Sequence, residues 1–171
     1  MRHTFNDPDR FVAGTVGEPG ERAFFIQASQ SNRLISVALE KAQVQAIAAR
    51  LEIMVSEVKK SDPLVSILKI ANDDQPLQSP IDAEFQVGAI SLAWDEETHR
   101  ICLELYELED DEEEEESDGE VLEVNITLGL AISFAHRSKA VVNAGRLPCP
   151  FCAIPIDPRG HLCPRANSYR R

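Results

Sequence analysis

The residues of this chain best suited to chemistry are three cysteines and one histidine near its C-terminal end. Cys149 and Cys152 enclose two residues, and His161 and Cys163 follow within the same 15-residue stretch. Thiolate and imidazole ligands suit a borderline-soft ion, and a Cys-x-x-Cys turn can aim two sulfurs at one point. The spacing therefore predicts a structural Zn²⁺ site with four protein ligands, which leaves no open coordination position for catalysis.

Two other interpretations of these cysteines remain open. A Cys149–Cys152 disulfide would close a very short loop, stabilise little, and leave His161 and Cys163 without a role. A redox Cys-x-x-Cys pair normally lies at a helix N-terminus in a βαβ context, whereas this pair lies in a proline-rich segment after a predicted helix. The fourth cysteine, Cys102, lies alone in a strand-like run and is interpreted as a small buried hydrophobic residue.

Charge is distributed unevenly along the chain. The formal net charge is −12, but residues 1–136 carry −18 and residues 137–171 carry +6. The acidic part disfavours broad nucleic-acid binding, while the basic part can contact one acidic or phosphate-bearing partner. Docking of the basic part on the acidic part of the same chain is the alternative. The arginines expected to make partner or phosphate contacts are Arg159, Arg165, Arg170 and Arg171.

The elements that must position these residues follow from hydrophobic periodicity. Three predicted strands precede an amphipathic helix, at Arg10–Gly17, Arg22–Ala28, Leu34–Leu39 and Glu40–Lys59. The same order recurs, with Thr127 as the helix N-cap, at Phe85–Trp94, Arg100–Leu108, Val121–Ile126 and Thr127–Ala144. The predicted fold is therefore α+β: two βββα repeats share one antiparallel-sheet core, and a small zinc-stabilised segment follows it.

Each predicted helix carries one apolar stripe that should face this core. The stripe of the first helix consists of Val44, Ile47, Ala48, Leu51, Met54, Val55 and Val58. The stripe of the second helix consists of Leu128, Ala131, Ile132, Ala135 and Val142.

The predicted domain organisation is an α+β core over residues 1–146 and a zinc-binding C-terminal tail over residues 147–171. The repeats cover about 9–60 and 85–145, and the linker between them, 61–84, is apolar enough to pack. Within the linker, Leu64–Leu68 is interpreted as a short helix. The acidic run at 109–119 predicts a solvated loop between two strands.

The compartment is predicted from what the sequence begins with and from its apolar runs. The first residues form no apolar signal region, and no later run approaches the ~20 apolar residues of a membrane span. We therefore expect a cytoplasmic protein with reduced thiols and no membrane partner.

Several segments carry a family resemblance. They are residues 14–24, the helix start at 39–44, residues 91–95, and the closing stretch from Cys149-Pro150-Phe151-Cys152 to Asn167. Together they resemble the bacterial repeat-protein family described as domain of unknown function 3090, over essentially the whole chain. That family has no established activity, so the resemblance implies an architecture and a C-terminal tail rather than a mechanism.

Three functions fit these observations, and no catalytic residue is assigned. The favoured one is a non-catalytic binding or adaptor module that presents a zinc-ordered basic tail to a protein or phosphate-bearing partner. The alternatives are an enzyme acting on a phosphorylated small molecule at the repeat interface, with Arg22 among its phosphate contacts, and nucleic-acid binding through the tail. Glu104, Tyr106 and Glu123 predict a solvated sheet face, or, if that face is concave, a cleft with acid–base carboxylates.

Overall fold

The computed structural model describes residues 1–18, 20–110, 118–145, 149–153 and 163. These residues form a mixed α+β fold with one seven-stranded sheet and two helices. The strands are β1 (Arg2–Asn6), β2 (Arg10–Val16), β3 (Ala23–Gln30), β4 (Arg33–Leu39), β5 (Ala83–Asp95), β6 (Arg100–Glu107) and β7 (Val121–Ile126). The helices are α1 (Lys41–Ser61) and α2 (Leu128–Asn143). Neither of these helices is long and apolar enough to span a membrane.

The strands lie in the order β1-β7-β6-β5-β4-β3-β2. β4 is parallel to β5 and β1 is parallel to β7, so the prediction of a wholly antiparallel sheet is wrong at these two pairs. α1 and the linker carry the chain from the end of β4 back to the start of β5, and such a crossover makes the two strands parallel. Three strands and a helix do occur twice along the chain, but a structural repeat of one half by the other stays a prediction.

The apolar stripes of the helices account for most of the core. All seven predicted stripe residues of α1 are buried in the core. In α2 the prediction is wrong at Ile132, which is 41% exposed, and it omits Phe134, which stacks on Phe11 with 4.5 Å between ring centroids. α2 packs on α1 and also on the edge strand β2. The contact with β2 turns Phe134 inward.

The linker residues 62–82, which we call the strap, contain neither helix nor strand. The predicted helix at Leu64–Leu68 is therefore wrong. Val65 and Ile67 pack against the core, whereas Leu64 and Leu68 are 93% and 79% exposed. Burial that alternates with a period of two is typical of an extended chain, so the apolar run at 64–68 packs as an extended segment.

Long-range contacts attach the strap to the fold, which confirms that the linker packs. Asp73 accepts a hydrogen bond from Arg10 at 2.6 Å, and the side chain of Arg137 donates to the Asp73 carbonyl at 2.9 Å. The Gln78 amide donates to the side chain of Gln27 on β3 at 2.8 Å. The strap thus joins α2, β2 and β3.

The outer edge of β1 is covered by the turn between β3 and β4. The side chain of Gln30 donates to the Asn6 carbonyl at 2.8 Å, and Arg33 donates to the Thr4 carbonyl at 3.2 Å. The Arg33 guanidinium also lies 4.4 Å from the ring centroid of Phe5. Because these carbonyls already accept hydrogen bonds, this edge is a poor template for pairing with another chain.

Candidate metal centre

Three thiols meet near the C-terminal end of the described chain. The sulfur atoms of Cys149, Cys152 and Cys163, which we call the cysteine cluster, all lie within 4.8 Å of one another. The Cys149 and Cys163 sulfurs are 3.8 Å apart, and two sulfurs on a tetrahedral ion with metal–sulfur bonds of ~2.3 Å would be ~3.8 Å apart. Both residues are buried, at 6% and 7% exposure. The cluster therefore has the spacing and seclusion from water that can hold a metal ion.

A tight turn positions the first two sulfurs. The Ala153 amide donates to the Cys149 carbonyl at 2.9 Å, and Ala153 adopts a left-handed φ of 61° that closes the turn. Pro150 has no amide hydrogen, so the first donors after Cys149 are the amides of Phe151 and Cys152. This local geometry directs backbone amides at the Cys149 sulfur.

These amides favour the ionised form of the thiol. Backbone hydrogen bonds from Cys152 and then Phe151 lower the pKa of Cys149 to about 6, against desolvation, which acts in the opposite direction. Hydrogen bonds to a thiolate stabilise its charge. The lowered pKa favours the thiolate of Cys149, which is the form that binds a metal.

The structure brings together three of the four predicted ligands. The fourth, His161, lies outside the described residues. Cys149 and Cys152 are free thiols, so the disulfide alternative is wrong. A third thiol at this distance has no role in a dithiol redox pair, and it favours the metal interpretation.

Cys102 differs from the clustered cysteines. It lies on β6 opposite Asn125 of β7, on the sheet face that carries polar side chains, and it is half-buried rather than buried as predicted. Ile101 and Leu103 on either side of Cys102 face the core. Because side chains alternate along a strand, Cys102 faces the opposite side of the sheet, and this explains the error. Burial, together with the nearby carboxylates, raises the pKa of the Cys102 thiol, which disfavours a reactive role.

Glu104, Glu123 and Tyr106 lie together on this polar face, joined by Arg2 of β1. The Arg2 guanidinium lies 2.8 Å from Glu104 and 2.6 Å from Glu123, and the Tyr106 hydroxyl donates to Glu104. Hydrogen bonds from Tyr106 and then Arg2 lower the pKa of Glu104. A general acid needs a raised pKa, so this group is an ion-pair network on a solvated face.

Sequence reasoning missed Arg2 because β1 is only five residues long. The available signal was the alternation of polar Arg2, Thr4 and Asn6 with buried Phe5. Five residues are too few for such an alternation to identify a strand.

Residues 137–171 contain seven lysines and arginines. Two of them lie on α2 and contact acids of the same chain. Arg137 lies 3.3 Å from Asp73, and Lys139 lies 2.7 Å from Glu52. These pairs show that the two cations contact acids of the strap and of α1. The predicted partner contacts lie outside the described residues: Arg159, Arg165, Arg170 and Arg171.

A comparison with known families gives one finding that spans the chain. A family model described as "Protein of unknown function (DUF3090)" matches residues 3–163. The matched range includes all four predicted metal ligands and ends before Arg165. No curated protein and no solved structure matches the chain.

Proposed function

The chain belongs to the DUF3090 family of proteins of unknown function, and from its cysteine cluster we propose that it is a zinc-dependent binding module. Zinc orders the C-terminal tail, and the ordered tail presents its basic residues to an acidic or phosphate-bearing partner. The single observation that carries this proposal is the set of three sulfurs within 4.8 Å of one another.

The ligand chemistry favours zinc over other ions. Three thiolates exclude the hard cations Mg²⁺ and Ca²⁺, which prefer oxygen ligands. His161 completes the set as the fourth ligand, and a Cys₃His site is a common structural zinc site. Four protein ligands leave no position for substrate, so the role of this ion is structural.

Charge supports the choice of partner. Residues 1–136 carry −18, which repels nucleic acid and makes the basic tail the part of the chain suited to an acidic ligand. The partner contacts are assigned to Arg159, Arg165, Arg170 and Arg171. A reducing, cytoplasmic location keeps the three sulfurs available as thiolates.

The metal is tested by elemental analysis of protein purified without chelator. We expect one zinc per chain in the wild type and in Cys102→Ser, the matched control for a cysteine outside the cluster. Cys149→Ser and Cys152→Ser should each lose the ion, because three remaining ligands bind structural zinc weakly. Full zinc content in Cys149→Ser would contradict the proposal.

The fourth ligand is tested by cobalt substitution. Co²⁺ in a tetrahedral Cys₃His site gives visible absorption bands that change when the nitrogen ligand is removed. His161→Ala should change these bands, whereas His136→Ala, which alters a histidine on α2, should leave them unchanged. Identical spectra for the two variants would remove His161 from the site.

The partner is tested by affinity capture from the native cytosol with metal-loaded protein. We expect a partner that is lost from Cys149→Ser and also from a triple variant in which Arg165, Arg170 and Arg171 become Gln. Cys102→Ser should capture it as well as the wild type does. Retention of the partner by both variants would contradict presentation by the tail, and a partner that is displaced by nuclease would instead favour nucleic-acid binding.

A further inference from the structure

A cavity of about 440 Å³ lies where β3, the start of α1 and the end of α2 meet. This volume is within the range of small-molecule binding sites. Five of its lining residues matter here: Arg22, Phe24, Lys41, Val142 and Gly145. The cavity therefore combines two cations with an apolar wall.

The two cations converge on one point. A Cβ atom placed on Gly145 would lie 3.1 Å from Nη2 of Arg22, 3.7 Å from the Val142 carbonyl oxygen and 3.9 Å from Nζ of Lys41. Arg22 is held in place, because its Nη1 donates to the Val141 carbonyl at 2.8 Å and its guanidinium lies 5.0 Å from the ring centroid of Phe24. The space next to the Gly145 α-carbon is thus lined by two positive groups from different elements.

The pairing of these cations differs from that of four other arginines. Arg2, Arg10, Arg100 and Arg137 each contact a carboxylate. Within the described residues, no carboxylate pairs with Arg22 or Lys41 and none lines the cavity. In a segment that carries −18 over residues 1–136, two converging cations with no carboxylate partner among the described residues favour an external anion.

We propose that this cavity binds a small phosphate monoester. Arg22 and Lys41 contact the phosphate, and Phe24 and Val142 pack against the organic part of the ligand. A phosphate dianion matches the charge of two cations, and guanidinium and ammonium groups both bind phosphate in proteins. Gly145 leaves the central space open. This site does not use the cysteine cluster, so it goes beyond the function proposed above.

The test is isothermal titration calorimetry of the full-length, zinc-loaded protein with inorganic phosphate, glycerol 3-phosphate and ribose 5-phosphate. We expect one site per chain for at least one of the esters. Lys41→Gln removes one charge, and Gly145→Val fills the space while it retains both charges. Each should weaken binding by about tenfold or more, the loss expected for a charged hydrogen bond. Arg50→Gln, which removes an exposed charge of α1 outside the cavity, should leave the affinity unchanged.

Several results would overturn this assignment. They are no binding of either ester to the wild type, equal affinity in Lys41→Gln and Gly145→Val, or tighter binding of the dicarboxylate malate than of the esters. Zinc content and thermal unfolding are measured on the same preparations. Unchanged values in Lys41→Gln and Gly145→Val show that a loss of binding comes from the cavity and not from the metal centre or the fold.

Discussion

Two of the described segments that lack helix and strand are ordered in different ways. The strap, residues 62–82, is fixed by contacts to the core: Asp73 binds Arg10, and Gln78 pairs with Gln27. The turn at Cys149–Ala153 is closed by a hydrogen bond from the Ala153 amide to the Cys149 carbonyl, and its two sulfur atoms lie close to that of Cys163. The strap packs on the surface of the core. The turn and Cys163 instead bring three sulfur atoms together at a point that a metal ion can occupy.

This difference has a thermodynamic consequence. A docked segment gains its order from the core, so it should unfold with the core as one cooperative unit. A segment ordered by a metal gains its free energy from ligation, which depends on metal concentration and not on the sheet. The strap and the tail should therefore respond to different perturbations.

If the cysteine cluster holds a metal ion as proposed, removal of that ion is the largest perturbation of the tail. We expect EDTA to increase amide hydrogen exchange at Phe151, Cys152 and Ala153 by about a hundredfold or more, because ligation supplies most of the order of this segment. Strap amides such as Gln75 and Gln78 should keep their protection. Hydrogen exchange followed by mass spectrometry, with and without EDTA, measures both segments in one experiment.

The control for this experiment is Cys102→Ser, which alters a cysteine outside the cluster and should respond to EDTA as the wild type does. Loss of protection in the strap and the tail together would contradict the distinction. It would mean that both segments depend on the metal.

The substitution Gly129→Ala on α2 should disturb the strap and leave the tail unchanged. A Cβ at this position would lie 1.9 Å from the Leu68 carbonyl oxygen. Alanine adds about 1 kcal/mol of helix propensity, but backbone overlap of this size forces the strap to move, and overpacking costs about 1–3 kcal/mol. With the lost strap contacts added, we expect a net loss of about 1 kcal/mol in the free energy of unfolding, measured with urea.

Gly119→Ala is the matched control, because its nearest neighbour beyond the adjacent residues is a side-chain atom of Glu107 at 3.6 Å. It should leave the free energy of unfolding within about 0.5 kcal/mol of the wild type. Zinc content should stay at the wild-type value in Gly129→Ala. A stability for Gly129→Ala equal to that of the wild type would show that the strap is loosely attached at Leu68.

A region can be predicted from the sequence when the pattern that orders it lies within one short segment of the chain. The stripe of α1 from Val44 to Val58 was predicted in full, because helical period alone decides which side chains face the sheet. The cysteine cluster was predicted for a related reason, since ligand spacing is visible in the sequence. Its fourth ligand, His161, stays a prediction.

The path of the strap was not predictable in the same way. Arg10 and Arg137 both bind Asp73 from positions 63 and 64 residues away in the sequence, and no local pattern records such pairs. The parallel pairing of β1 with β7 also joins segments that are distant in sequence, Arg2 facing Val121. Contacts of this kind depend on the whole fold.

An effect of about the same size concerns the charge of Asp73, at the centre of the strap contacts. Asp73→Asn retains an oxygen acceptor for Arg10 but removes the negative charge beside buried Arg137. We expect a loss of about 1 kcal/mol in the free energy of unfolding at pH 7, the usual contribution of such a hydrogen bond. Asp74→Asn is the control, since Asp74 accepts a hydrogen bond only from its neighbour Gln75 among the described contacts, and it should be neutral.

The pH dependence identifies the charge as the cause. The hydrogen bond from Arg10 is the main factor that lowers the pKa of Asp73 in the folded state, and it outweighs desolvation. The unfolded chain, with a pKa of about 3.9, therefore takes up a proton first as the pH falls. The stabilisation by the carboxylate is complete above this value and is lost as the pH falls through the folded pKa. The difference between the wild type and Asp73→Asn in urea unfolding should thus be full at pH 7 and shrink as the pH falls below about 3.9. A difference of equal size at pH 3 and pH 7 would mean that geometry, and not charge, holds the strap at this point.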